Sequence, residues 1–171
     1  PNPRAPLAAV LSIATEEPVS GEIEIFDGKR TRRIAIPASA ELRRDLAVAG
    51  MRPGSPNKIG LFLKGASGAR CEPIEFYYTA PKPPRGYVDL PPITIKTSKP
   101  ELMEPGFLVL SVRRRPAQRA IWWTEKQFRF ANRWSMLVAI DEDGEIVWYY
   151  ENDSRIAGID QLENGNLFFN Q

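Results

Sequence analysis

The sequence predicts an all-β chain in two parts, a small β-sandwich followed by the first blade of a β-propeller. Three observations carry this. Apolar and polar residues alternate with period two through most of the chain, the spacing that sends successive side chains to opposite faces of a strand. The runs are short and are punctuated by sixteen prolines and twelve glycines, the composition of strands joined by turns. A proline-rich stretch separates two sets of such runs.

The first strand is expected over residues 7–15, with Leu7, Ala9, Leu11 and Ile13 on one face. In the next, over 21–26, Ile23 and Ile25 alternate with Glu22 and Glu24. The dipeptide Asp27-Gly28 then reads as a hairpin turn into 29–36, where Ile34 and Ile36 face inward and the arginines outward. Residues 40–49 carry two periods. Leu42 and Leu46 are spaced as on a helix, whereas Leu46 and Val48 alternate as in a strand; we favour a strand ending at Gly50. Met51-Arg52-Pro53-Gly54 forms a turn, and Ile59, Leu61 and Leu63 mark another strand. A last run sets Ile74, Phe76 and Tyr78 against Glu75, Tyr77 and Thr79. This spacing is that of a sandwich over residues 1–80.

Pro81, Pro83, Pro84, Pro91 and Pro92 follow. Proline fixes φ and cannot donate to a sheet ladder, so residues 81–92 read as a stiff linker. Residues 93–171 read as the start of a propeller. Residues 107–112 form a short apolar strand, and 135–140 are apolar almost throughout, as in a strand buried on both faces. The turn Asp141-Glu142-Asp143-Gly144 leads into 145–151, with Ile146, Trp148 and Tyr150 on one side. Residues 156–162 and 166–170 are two further strands around Asn164-Gly165, whose residues tolerate the positive φ of a two-residue hairpin loop. Residues 135–171 thus read as one four-stranded blade. A lone blade cannot cover its own faces, so the remaining blades are expected from a longer polypeptide or a second fragment; a homodimer is compatible with the same need.

Composition excludes several classes. Net charge is +2, which gives no reason to expect nucleic acid as a partner, and no apolar run reaches the length of a membrane span. The chain has no histidine, which removes the commonest general base and zinc ligand. It has one cysteine, Cys71, read as a small buried apolar residue that could pair only outside this chain. No residue is assigned as catalytic, cofactor-binding or metal-ligating, and no cofactor is expected.

Residues 137–150 and 159–167, with Asp141-Glu142-Asp143-Gly144, Val147-Trp148 and Leu162-Glu163-Asn164-Gly165-Asn166, resemble the first blade of the bacterial arylsulfate sulfotransferases. Asn2-Pro3-Arg4-Ala5-Pro6-Leu7 is similar to the start of that family's N-terminal sandwich, and residues 51–63 resemble the Pro-Gly turn and strand of fibronectin type III modules. The resemblance implies an Ig- or fibronectin-III-like sandwich, a six-bladed propeller and a periplasmic or secreted location. It also implies transfer of a sulfuryl group between phenols through a histidine. With no histidine here, that residue lies outside this chain, and these residues alone should be inactive. A phenolic sulfate is expected as substrate only of the complete protein. The alternative is a non-catalytic extracytoplasmic binding or scaffold protein.

Other clusters read more plainly. Arg113-Arg114-Arg115 with Arg119 could attract a sulfate ester or a nucleic-acid backbone, but we favour a solvated, charged strand edge, offset by acids such as Glu101, Glu104 and Glu125. Trp122, Trp123 and Trp134 read as packing between sandwich and propeller or between blades, since neighbours on a strand face opposite ways and Trp122-Trp123 cannot form one stacking platform, and Trp148 with Tyr150 as packing within the blade. Asp141, Asp143 and Gly144 form a turn, not a calcium loop. Asn152-Asp153-Ser154 fits a glycosylation sequon that carries little weight here.

Overall fold

Strands form where the period-two runs stand. In the structure, a computed structural model, residues 4–82, 93–104, 106–114, 122–162 and 166–170 are described. They are mostly β, arranged in several antiparallel sheets with one short α-helix. The chain divides into two compact units, Pro1–Pro83 and Pro84–Gln171.

The first unit holds β1 (Ala9–Ala14), β2 (Val19–Phe26), β3 (Thr31–Ile36), β4 (Arg43–Val48), β5 (Pro56–Gly65) and β6 (Ile74–Thr79). β1 pairs with β4, and the other four form a sheet in the order β3-β2-β5-β6. The apolar sides of both sheets share one core of Ile23, Ile25, Ile36, Val48, Ile59 and Leu61, with Leu11, Ile13 and Leu46 packed against it. Burying one such side chain contributes about 2 kcal/mol.

The ambiguous run at 40–49 is a strand, because pairing with β1 sets Leu46 opposite Leu11 and Val48 opposite Ala9. Leu42 lies outside it and is exposed. The Asp27-Gly28 hairpin forms as expected, with Gly28 at φ 94°. Asp27 holds it from within: Oδ1 accepts from the amides of Lys29 (2.8 Å) and Arg30 (2.9 Å), while Oδ2 accepts from Arg32 Nη1 (2.6 Å).

One strand of this unit lies open to solvent, and one expectation fails. Ile74 and Phe76 stand opposite Leu61 and Ile59 and so share their face, yet both are exposed. β6 is an edge strand, and the facing sheet has only two strands with which to cover four. Cys71 is exposed rather than buried, since it sits in the loop between β5 and β6.

The second unit holds β7 (Leu108–Arg113), α1 (Glu125–Asn132), β8 (Ser135–Ile140), β9 (Ile146–Asn152), β10 (Ile159–Gln161) and β11 (Leu167–Phe169), after a 3-10 turn at Pro100–Leu102. β8 is the middle strand of the sheet β7-β8-β9 and is buried at every position, as its unbroken apolar run requires. Asp141 closes the β8–β9 turn by accepting from the amides of Asp143 and Glu145, both at 3.0 Å, and Gly144 adopts φ 76°.

Two corrections follow here. Residues 135–171 do not make one four-stranded sheet: β10 and β11 pair only with each other, while β8 and β9 join β7. The chain is also not purely β. Thr124 caps α1 and exchanges hydrogen bonds with Gln127, forming a capping box. Most of the expected linker (83–92) and Asn164-Gly165 lie outside the described residues.

The segment joining β9 to β10 runs back across the sheet. Ser135 of β8 donates through Oγ to the Ser154 carbonyl (2.6 Å) and accepts from the Ile156 amide (3.1 Å). Ser111 of β7 then donates to the Ile156 carbonyl (3.3 Å). The chain thus leaves β9, passes β8, reaches β7 and only then enters β10. Tyr150 of β9 meets Phe169 of β11 with ring centroids 5.6 Å apart, so the small sheet packs on the larger one.

Candidate functional site

The crossing segment, the end of β7 and α1 enclose a cleft of about 310 Å3 lined by Arg113, Arg114, Trp123, Ala131, Asn132 and Arg155. Each wall has a local cause. β7 ends in Arg113, which pairs with Ser135 at the start of β8. α1 ends beside the cleft, and the Asn132 carbonyl accepts from the Arg155 amide (3.1 Å), which fixes the crossing segment.

The arginines are not all free to wander. The Arg114 guanidinium lies 4.8 Å from the Trp134 ring centroid and 5.4 Å from that of Phe130. Trp134 is 5% exposed, and its Nε1 donates to Glu151 Oε1 at 2.8 Å. β9 therefore orients the tryptophan, and the tryptophan orients the arginine.

Among the described residues the cleft lining contains three guanidinium groups and no carboxylate. The C-terminus of α1 adds a partial negative charge of about half an electron beside them. Among the described residues the lining offers no nucleophile and no general base, and the chain has no histidine.

Of the expected basic cluster, Arg113 and Arg114 line the cleft, while Arg115 and Arg119 lie outside the described residues. Of the acids expected to offset it, Glu125 pairs instead with Arg129 along α1, and Glu101 and Glu104 line no part of the cleft. Arg155 and Asn132 were not singled out by sequence, because only the crossing segment and the helix end bring them to β7.

Trp134 is buried within the second unit. Trp122 and Trp123 precede α1 rather than lying on a strand, and are 86% and 43% exposed. Trp148 stacks on Tyr150 at 6.4 Å, as two same-face neighbours on β9 should. Asn152 is 4% exposed and donates to the carbonyl (3.1 Å) and hydroxyl (2.9 Å) of Ser154, so the folded sequon is closed to a glycan. Among the described residues no cluster of carboxylate, cysteine or histidine side chains could hold a metal ion, and no helix is long and apolar enough to cross a membrane.

A second feature is a groove of about 790 Å3 between β7 and the β10–β11 hairpin, walled by Met103, Phe107, Leu108, Ile159 and Leu167 together with Glu104, Asp160 and Gln161. Leu108 is exposed in its wall, and Leu102, Leu110 and Phe168 are exposed elsewhere in this unit. No protein-family model matches the chain, and neither the curated proteins nor the solved structures contain a significant match to it.

Proposed function

We propose that the chain is the non-catalytic front part of a protein of the arylsulfate sulfotransferase type. In this reading β1–β6 form an Ig- or fibronectin-III-like sandwich, β7–β9 belong to one propeller blade, and β10–β11 open the next. The single observation that carries the propeller is the crossing segment. Blades stand radially around a channel, so a chain leaving the outer strand of one blade must recross it to reach the inner strand of the next. Residues 153–158 make this return, held by Ser135 and then Ser111. The packing of Phe169 on Tyr150 is the face-to-face contact expected of adjoining blades.

The exposed apolar residues of β7 and β11 support further sheets as partners, from the same polypeptide or a second fragment. A blade takes four strands, so the β7–β9 sheet awaits one more at a free edge. The family resemblance supplies the chemistry. A histidine outside these residues displaces the phenol from an aryl sulfate, carries the sulfuryl group and passes it to a second phenol. A periplasmic or secreted location follows from the same resemblance.

The natural polypeptide should release nitrophenol from 4-nitrophenyl sulfate only when an acceptor phenol is present, and these 171 residues alone should not. Turnover by the 171-residue chain, or none by the natural polypeptide, contradicts the reading. The chain's lack of histidine favours a second reading, a binding or scaffold protein with the same architecture and no chemistry. It is supported if the natural polypeptide carries no histidine facing the channel.

A further inference from the structure

We propose that α1 and the tryptophans before it form a surface that docks on a membrane bearing anionic phospholipid. The proposal is independent of the sulfuryl-transfer reading. Three observations lead to it.

The first is aromatic exposure. Trp122, Trp123, Phe128 and Phe130 make up four of the nine residues from 122 to 130, in a chain that is 10% aromatic. They are 86%, 43%, 59% and 51% exposed. Single exposed rings are ordinary, but a cluster of them marks a surface that meets something apolar. Tryptophan settles at the boundary of lipid and water, because its ring is apolar and its N–H is not.

The second is charge. Residues 113–133 hold seven arginines and lysines against one acid, Glu125, a formal net of +6 in a chain whose total is +2. Glu125 is itself taken up by Arg129 along the helix. Residues 151–155, tied to the end of α1 through the Arg155 amide, add Glu151, Asp153 and Arg155 and lower the sum only to +5. Basic charge is therefore concentrated where the rings are exposed, and a layer of lipid phosphates complements it.

The third is placement. Successive residues of a helix project about 100° apart. Ala131 is the buried residue of α1, so Lys126 and Arg129, which project away from it, stand on the solvent side and are exposed. Phe128 and Phe130 flank them, about 200° apart across that side. Cations thus stand between rings, as a headgroup layer favours: the cations reach phosphate while the rings sit lower, toward the acyl chains. Trp123 shares its cleft with Arg113 and Arg155, which extends the same mixture beyond the helix. Single-stranded nucleic acid also takes rings and cations, but its successive bases stack along a groove. Phe128 and Phe130, turned away from each other, form no such row. A helix of eight residues spans about 12 Å, too short to cross a bilayer, so the docking is peripheral.

Co-sedimentation of the whole chain with vesicles tests this at low ionic strength. The chain should bind vesicles of phosphatidylglycerol mixed with phosphatidylcholine, not phosphatidylcholine alone, and should be released as salt rises. Trp122→Ala should weaken binding about tenfold, and Lys126→Gln about fivefold. Both side chains are exposed, so neither variant threatens the fold. Lys64→Gln, an exposed cation of the first unit, should change nothing. The proposal is overturned if the mixed vesicles do not bind, if phosphatidylcholine alone binds equally well, or if the Trp122 variant binds like the parent. It is overturned too if a single-stranded oligonucleotide displaces the chain from vesicles at equal phosphate concentration, or if the natural polypeptide fails to bind vesicles that these residues bind.

Discussion

The Ile156 amide donates a 3.1 Å hydrogen bond to the Ser135 hydroxyl, which itself donates to the Ser154 carbonyl at 2.6 Å. One buried side chain thus serves as both acceptor and donor for the segment that crosses the sheet. Removing the hydroxyl leaves the Ile156 amide without its partner inside the fold. An orphaned buried donor costs about 1–3 kcal/mol. Ser135→Ala should therefore lower the stability of the second unit by about 2 kcal/mol, read as a shift in urea midpoint at unchanged slope. An unchanged midpoint would mean the crossing is not held there.

Asn57 does a comparable job in the first unit. It is 0% exposed, and its Oδ1 accepts from the Arg52 amide at 2.8 Å. Its Nδ2 donates to the carbonyls of Arg52 (3.1 Å), Ser55 (2.9 Å) and Tyr78 (3.3 Å). The Met51–Gly54 turn is thereby tied to β5 and β6. Asn57→Ala should destabilise by about 2–4 kcal/mol, and Asn57→Asp by at least as much, because a carboxylate faces carbonyls it cannot donate to. Thermal unfolding of the two variants checks both the size and the order.

Asp27 gives the fold a pH dependence. Burial pushes its carboxyl up, but the amides of Arg30 and Lys29 and the Arg32 guanidinium together hold it below the ordinary value of 3.8. The unfolded chain therefore binds a proton at higher pH than the folded one. The stabilisation is full above the ordinary carboxylate range and fades as pH falls through 3.8 toward the lowered folded value. Urea midpoints of the parent and of Asp27→Asn should differ at pH 7 and converge on acidification. A gap that widens toward low pH would reverse the assigned sign.

The capping box predicts a local effect at the cleft. Thr124 Oγ1 accepts from the Gln127 amide at 3.3 Å, and Gln127 Oε1 accepts from the Thr124 amide at 2.9 Å. Thr124→Ala should cost about 1 kcal/mol and speed hydrogen exchange within α1 more than within β8. Equal acceleration in both would show that the helix is not an independently fraying element.

Most strands were legible because alternation is a local property, as Ile23 and Ile25 or Leu46 and Val48 illustrate. What alternation does not report is cover. Ile74 and Phe76 alternate correctly and still face solvent, since the width of the opposing sheet is decided elsewhere in the chain. α1 was missed because it has eight residues and only Ala131 among them is buried, so no apolar stripe marks it. The signal that could have found it was the cap, Thr124 with Gln127 three residues on. β10 and β11 were assigned to the sheet of β8 and β9 because they follow it closely. The recrossing at Ser135 and Ser111, which separates them, depends on contacts far apart in sequence. Arg155 reached the cleft by the same route and was invisible for the same reason.

Determining the strand order of the natural polypeptide tests the central claim most directly. The account predicts that β10 and β11 continue into a further antiparallel sheet stacked on β7–β9 around a common channel, with Leu108 and Phe168 covered. Finding β10–β11 as an isolated hairpin, with those residues open to solvent in the complete protein, would contradict it.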